Sequence, residues 1–144
     1  MLDIGTLNKY DTKKMYAIYD KWPEIAKNAY NSSVEPVDFK NIEHIVFAGM
    51  GGSGALGDIF SSILSKTNVY VTLVKGYILP KTVNSNTVVV PTSVSGNTVE
   101  TLTVLESARK LGCKIIAFSA GGKIENYCIK SRIEYRKIPQ HLSP

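Results

Sequence analysis

The stretch Ile45-Val46-Phe47-Ala48-Gly49-Met50-Gly51-Gly52-Ser53-Gly54-Ala55-Leu56 decides how the chain folds. Its first four residues are apolar without polar alternation, the pattern of a parallel strand buried on both faces. They lead into four glycines within six residues, and these lead into a helical stripe of Leu56, Ile59, Phe60, Ile63 and Leu64. Strand, glycine turn and helix follow one another without a spacer.

The alternation continues downstream. Val69–Val74, Thr87–Val90 and Lys114–Phe118 read as further strands. Ile133–Ile138 reads as a fifth, and its alternation of apolar and polar residues marks an edge. Val99, Leu102, Leu105, Ala108 and Leu111 form a second helical stripe, and a shorter one covers Ile124–Ile129. The predicted fold is α/β: an open, doubly wound five-stranded parallel sheet over residues 41–138, with helices on both faces. Pro91 stands at the end of a central strand, where it either closes the strand or distorts the approach to Ser93. Upstream, residues 1–40 form a helical segment. Met15, Ile18, Tyr19, Trp22, Ile25, Ala26 and Ala29 are at helical spacing, and Pro23 divides them into a helix ending near Lys21 and another with Pro23 in its first turn. Residues 139–144 read as a tail.

With 144 residues, 44% hydrophobic and 20% charged, the chain has the make-up of one globular domain, and this excludes disordered and fibrous classes. No apolar run approaches the ~18 residues of a membrane span. Met1-Leu2-Asp3-Ile4-Gly5-Thr6 has neither the basic end nor the apolar core of a signal peptide. A cytoplasmic protein without a membrane partner is expected. Seventeen Lys and Arg against twelve Asp and Glu give a net charge of +5, which suits an acidic ligand. The basic residues are scattered and form no stripe with interleaved aromatics, so no nucleic-acid partner is expected. Cys113 and Cys128 lack metal-ligand spacing, and His44 and His141 are the only histidines; no metal is expected, and the cysteines read as small buried hydrophobes. His44, at the start of the first strand, reads as structural.

In an open α/β sheet the ligand lies beyond the carboxyl ends of the strands, so the loops after them carry the chemistry. Gly49–Gly54 brings backbone close to a bulky anion at a helix start, with Ser53 placed as a cap. Gly49, Gly51 and Gly54 also satisfy G-x-G-x-x-G. A dinucleotide site would need an acid ~20 residues on, but the second strand ends Leu73-Val74-Lys75-Gly76. NAD is disfavoured, while Lys75 keeps an NADP-dependent oxidoreductase as an alternative. After the third strand, Ser93-Val94-Ser95-Gly96-Asn97-Thr98 opens another helix. Asn97 and Glu100 are spaced as a capping-box-like pair. Ser93, Ser95 and Thr98 exceed what capping needs and read as a cradle for a phosphate dianion. Two such loops on neighbouring strands point to one compact phosphorylated ligand, with no cofactor.

Gly49–Asp58 together with Ser93–Thr101 resembles the sugar isomerase (SIS) domain, most closely the first half of the bifunctional phosphoglucose/phosphomannose isomerases. The resemblance runs from Trp22-Pro23-Glu24 to the end of the chain and includes Ser119-Ala120-Gly121-Gly122-Lys123. It implies a small-molecule sugar phosphate held by Gly51, Gly52 and Ser53 of the first loop and by Ser93, Ser95 and Thr98 of the second. Asn97 and Gly96 shape the loop. It implies an enzyme interconverting glucose 6-phosphate or mannose 6-phosphate with fructose 6-phosphate, in a chain of two such domains whose base and ring-opening histidine lie in the second half. The catalytic residues are therefore not assigned here, and Val94 stands where the family often has tyrosine. An arginine that the family places after the final proline is absent from Ile138-Pro139-Gln140-His141-Leu142-Ser143-Pro144. The expectation is the N-terminal domain of a longer two-domain enzyme, pairing as a homodimer because the aromatic segment and one sheet face need cover. The other class in contention is a non-catalytic phosphosugar-sensing SIS module.

Overall fold

The computed structural model describes residues 3–140. They divide into two compact units, one reaching to Val37 and the other spanning Asp38–Gln140.

The first unit holds α1 (Ile4–Tyr10), α2 (Met15–Asp20) and α3 (Trp22–Asn31). The sequence reading did not include α1; its start is fixed by Asp3, whose carboxylate accepts from the Thr6 N–H at 2.7 Å, a cap of the kind worth about 1 kcal/mol. Asp11 accepts from the Tyr16 N–H at 2.9 Å at the start of α2. Pro23 stands in the first turn of α3, where its missing N–H costs nothing. The Tyr19 and Trp22 rings meet edge to face, with centroids 4.7 Å apart.

The second unit alternates β1 (His44–Ala48), α4 (Gly51–Leu64), β2 (Tyr70–Val74), β3 (Thr87–Ser93), α5 (Val99–Lys110), β4 (Lys114–Ser119), α6 (Gly122–Ser131) and β5 (Glu134–Lys137). All pairings are parallel, in the order β2-β1-β3-β4-β5, so the expected five-stranded sheet forms, with β5 at an edge.

Side chains alternate across the sheet, so each strand serves two faces. Val46, Ala48, Val74, Val89, Ile115 and Ala117 lie in one core with Val104, Leu105 and Ala108 of α5 and Ile124 and Cys128 of α6. Each large side chain buried there contributes about 1.5–3 kcal/mol. The opposite face carries Phe47, Leu73, Val90, Ile116 and Phe118. Here α4 lies directly on β1 and β2 because residue 57 is glycine: a Cβ would sit 2.9 Å from Phe47 Cβ and 3.0 Å from Leu73 Cδ2. Beyond α4, Val90, Ile116, Phe118 and Ile138 line an open apolar cleft of ≈ 500 Å³. Helices thus occupy both faces, but α4 covers mainly the β1–β2 half of its own.

Two local expectations are corrected. Pro91 does not close its strand: β3 continues to Ser93, and Pro91 pairs with Ala48 of β1. On the other side the ladder passes from Val89↔Ile115 to Thr92↔Phe118 without a pair at Val90 or Pro91. The proline has no N–H to give β4, and only that stretch is lost. Also, α4 begins at Gly51 and not at Leu56, so half of the glycine loop forms the first turn of the helix.

Candidate functional site

The strand order reverses between β1 and β3, and the first and second loops leave from the carboxyl ends of these two neighbours. Gly49 permits their approach. A Cβ there would lie 3.0 Å from the Thr92 carbonyl oxygen and 3.0 Å from the Ser53 carbonyl carbon.

At the start of α4 the cap position belongs to Met50, and no side chain caps the helix. Ser53 is therefore not the cap; it is the third residue of the first turn. The first intrahelical bond is Gly54 N–H to Met50 O, at 3.2 Å. The N–H groups of Gly51, Gly52 and Ser53 are left without helical acceptors. Gly51 and Gly52 are exposed and Ser53 is half-buried. These are the three residues expected from the sequence to meet a phosphate. Lys75, the residue that kept NADP in contention, directs its ammonium to Asp58 Oδ2 at 2.6 Å, with both side chains half exposed.

The second loop brings Ser93, Ser95 and Thr98 together but gives them different positions. Ser93 is buried; its Oγ lies 2.8 Å from Thr98 Oγ1 and accepts from the Gly96 N–H at 3.2 Å. Ser95 is exposed, and its Oγ accepts from the Asn97 N–H at 3.3 Å. Thr98 occupies the cap position of α5 without a side-chain capping bond. The anticipated Asn97–Glu100 capping box does not form. Glu100 faces Tyr77 instead: its negative charge, together with burial and a hydrogen bond between the two side chains, holds the Tyr77 hydroxyl above its ordinary 10.0.

Asn97 reaches the third loop, between β4 and α6. Its Oδ1 accepts from the Lys123 N–H at 3.1 Å, and its Nδ2 donates to the Ser95 carbonyl at 3.1 Å. The Ile124 N–H donates to Gly96 O and the Ala120 N–H to Val94 O, each at 3.0 Å. The amino end of α6 is thereby closed by the second loop. The ends of α4 and α5 remain, each carrying about half a positive charge from the helix dipole. Sequence reasoning missed the Asn97–Lys123 bond, which joins residues 26 positions apart.

The apolar cleft reaches this region through Gly49, Ser53, Lys75 and Thr92. Its walls are hydrocarbon, and an anion buried there would lose its hydration without compensation. The arrangement suited to an anion is the pair of loops at the rim.

His44 lies at the opposite end of the sheet, as expected. It is buried, with Nε2 2.8 Å from Thr72 Oγ1 and Nδ1 3.4 Å from Thr87 Oγ1. Burial lowers its pKa from the ordinary 6.5. Burial also raises the Cys128 thiol to about 11. His141 lies outside the described residues.

A family profile described as "SIS domain" matches residues 38–134. The chain belongs to the SIS domain family. Within it, the chain is 37% identical over 127 residues to the bifunctional phosphoglucose/phosphomannose isomerase of Caldicellulosiruptor bescii, matching 85% of this chain and 37% of the relative. It is 34% identical over 127 residues to the D-glucosamine-6-phosphate 4-epimerase of Sulfolobus acidocaldarius, matching 88% of this chain and 40% of the relative. The structure of tagatose-6-phosphate ketose/aldose isomerase from Escherichia coli aligns with a TM-score of 0.56 over 88% of this chain and 35% of that one. At 16% identity, that likeness shows the SIS fold alone. The chain spans well under half the length of the curated relatives it matches.

Proposed function

We propose that this chain is the sugar-phosphate-binding SIS domain of an aldose–ketose isomerase that interconverts glucose 6-phosphate or mannose 6-phosphate with fructose 6-phosphate. One observation carries the reading: the unpaired N–H groups of Gly51, Gly52 and Ser53 and the hydroxyl loop of Ser93, Ser95 and Thr98 leave neighbouring strands at the β1/β3 reversal. The first loop offers backbone donors and a helix dipole, and the second offers hydroxyls; both favour a dianion over a neutral sugar.

Isomerisation further needs ring opening and a base that carries a proton between C1 and C2 of the sugar. In this proposal those groups come from a second domain or a second copy of the chain. The domain alone binds and scarcely turns over.

The test is a thermal-shift titration with fructose 6-phosphate, free fructose, inorganic phosphate and NADP. A ligand at a hundred times its Kd adds about 2.7 kcal/mol, a shift of several degrees. Fructose 6-phosphate should stabilise most, inorganic phosphate less, and free fructose and NADP not at all. Stabilisation by NADP alone would replace the phosphosugar reading with a dinucleotide one.

A further inference from the structure

We propose that Asn97 is a positioning residue: it holds the second loop in its ligand-ready shape by fastening it to the amino end of α6. The inference rests on the reading of that loop as phosphate-binding, and it concerns a residue that makes no contact with the phosphate itself.

The amide is held at both of its ends. Oδ1 takes the Lys123 N–H and Nδ2 gives to the Ser95 carbonyl, each at 3.1 Å. A backbone N–H accepts nothing and a carbonyl donates nothing, so the two partners fix which way the amide faces. No isosteric hydrocarbon or carboxylate supplies one donor and one acceptor in this way.

The surroundings are shaped to this contact. At Gly122, with φ +74, a Cβ would fall 2.9 Å from Asn97 Oδ1, 3.0 Å from its Nδ2 and 2.5 Å from Ser95 O. At Gly96, with φ +66, a Cβ would fall 1.8 Å from Gly121 O. Two glycines in left-handed backbone thus flank the joint, Gly96 against Gly121 and Gly122 against Ser95 and Asn97, each where a side chain would force the loops apart.

The third loop is itself anchored. Ser119 Oγ donates to Gly121 O, and the Tyr135 hydroxyl donates to Ser119 O, both at 2.8 Å. A continuous path runs from β5 through Tyr135, Ser119 and the α6 start to Asn97, and from there to the backbone of Ser95. Ser95 is the exposed hydroxyl of the loop, and its carbonyl is what Asn97 grips. Without the amide, the segment between Ser93 and Thr98 keeps its inner brace and its backbone bonds to the Ala120 and Ile124 N–H groups but loses the grip on the Ser95 carbonyl, and the ligand must order that stretch on binding.

The experiment compares the wild-type chain with Asn97→Ala in three measurements: calorimetric affinity for fructose 6-phosphate and for inorganic phosphate, the urea midpoint without ligand, and hydrogen exchange at the Lys123 amide. The expected result is an affinity about tenfold weaker for both probes, because the ligand must then order the Ser95 stretch itself. The Lys123 amide should exchange faster while the midpoint moves little. Asn97→Ser, whose hydroxyl stops one bond short of the Oδ1 position, loses both contacts while keeping a polar side chain; it is the second variant should the alanine form fail to fold, and the same loss is expected. Unchanged affinity in a variant, with the wild type binding, overturns the role of Asn97 and leaves the phosphosugar reading standing. A lowered midpoint with unchanged affinity makes Asn97 a purely structural residue and also overturns it. A wild-type chain that binds neither probe overturns the phosphosugar reading, and the role of Asn97 falls with it.

Discussion

The hydroxyl oxygens of Ser93 and Thr98 lie 2.8 Å apart, and that contact makes Ser93 an internal brace of the second loop. With Gly96 N–H also on its Oγ, the buried Ser93 hydroxyl is engaged from two sides before any ligand arrives. Ser95, exposed on the same loop, has its hydroxyl turned only to the Asn97 N–H.

The two serines should therefore separate on mutation. Ser93→Ala leaves the Gly96 N–H on the Ser93 carbonyl at 3.0 Å but removes the hydroxyl that meets Thr98 Oγ1, and should cost about 0.5–1.5 kcal/mol of stability, read from urea unfolding. Ser95→Ala should stay within about 0.5 kcal/mol of wild type in the same assay, yet weaken fructose 6-phosphate binding by about 1–3 kcal/mol, the loss of a hydrogen bond to a charged group. Equal effects of the two mutations on both quantities would refute the division of labour.

Two glycines of the first helical turn should likewise part company. A Cβ at Gly52 meets nothing within 4 Å, so Gly52→Ala should stabilise the fold by about 0.4–1 kcal/mol through the unfolded chain. Its methyl enters the space proposed for the phosphate, so affinity should fall while the melting temperature rises. A Cβ at Gly54 would lie 2.7 Å from Gly49 O, and Gly54→Ala should destabilise by about 1–3 kcal/mol. Differential scanning calorimetry with and without ligand reads both.

His44 sets a pH dependence. Burial holds its pKa below 6.5, so the unfolded chain takes up a proton near pH 6.5 that the folded chain refuses until the pH is lower. Where the unfolded state binds more protons, stability rises with pH. Stability from this group is full above pH 6.5, falls as the pH drops through it, and levels off below the folded-state pKa. His44→Gln should flatten that slope in urea unfolding between pH 5 and 8. The Asp3 and Asp11 carboxylates, held below their ordinary 3.8 chiefly by backbone N–H groups, act only in more acidic solution.

The cysteines should be inert. Burial raises Cys128 to about 11 and raises Cys113 as well, so neither is a thiolate at pH 8. A disulfide exchange reagent should label Cys113, which is half-buried, slowly and Cys128 only on unfolding. Fast labelling of Cys128 in the native protein would contradict its burial.

The strand–helix alternation was legible because parallel strands announce themselves as unbroken apolar runs, as at Ile45–Ala48. The start of α4 was not: Gly51 and Gly52 are poor helix formers with no side chain to join a stripe, and Gly51 enters the helix through a positive φ of 51°. Ser53 looked like a cap because hydroxyls favour that position, but the helix begins two residues before it. The loops that hold the candidate site could be found from their glycines and hydroxyls. The split between Ser93 and Ser95 could not, because burial depends on which neighbours the fold supplies. The Asn97–Lys123 joint lay beyond reach for a similar reason: local spacing paired Asn97 with Glu100, and the true partner arrives in the first turn of α6.

The bare half of the sheet beyond α4 has a thermodynamic consequence. Val90, Ile116, Phe118 and Ile138 border an open cleft, and Ile59 and Ile63 of α4 are 57% and 62% exposed. Water already wets part of the hydrocarbon that unfolding would expose. The heat capacity of unfolding of the Asp38–Gln140 unit should accordingly fall below the ~12–15 cal/mol/K per residue of ordinary domains. A smaller heat capacity flattens the curve of stability against temperature, so this unit should lose less of its stability on cooling than a sheet covered on both faces.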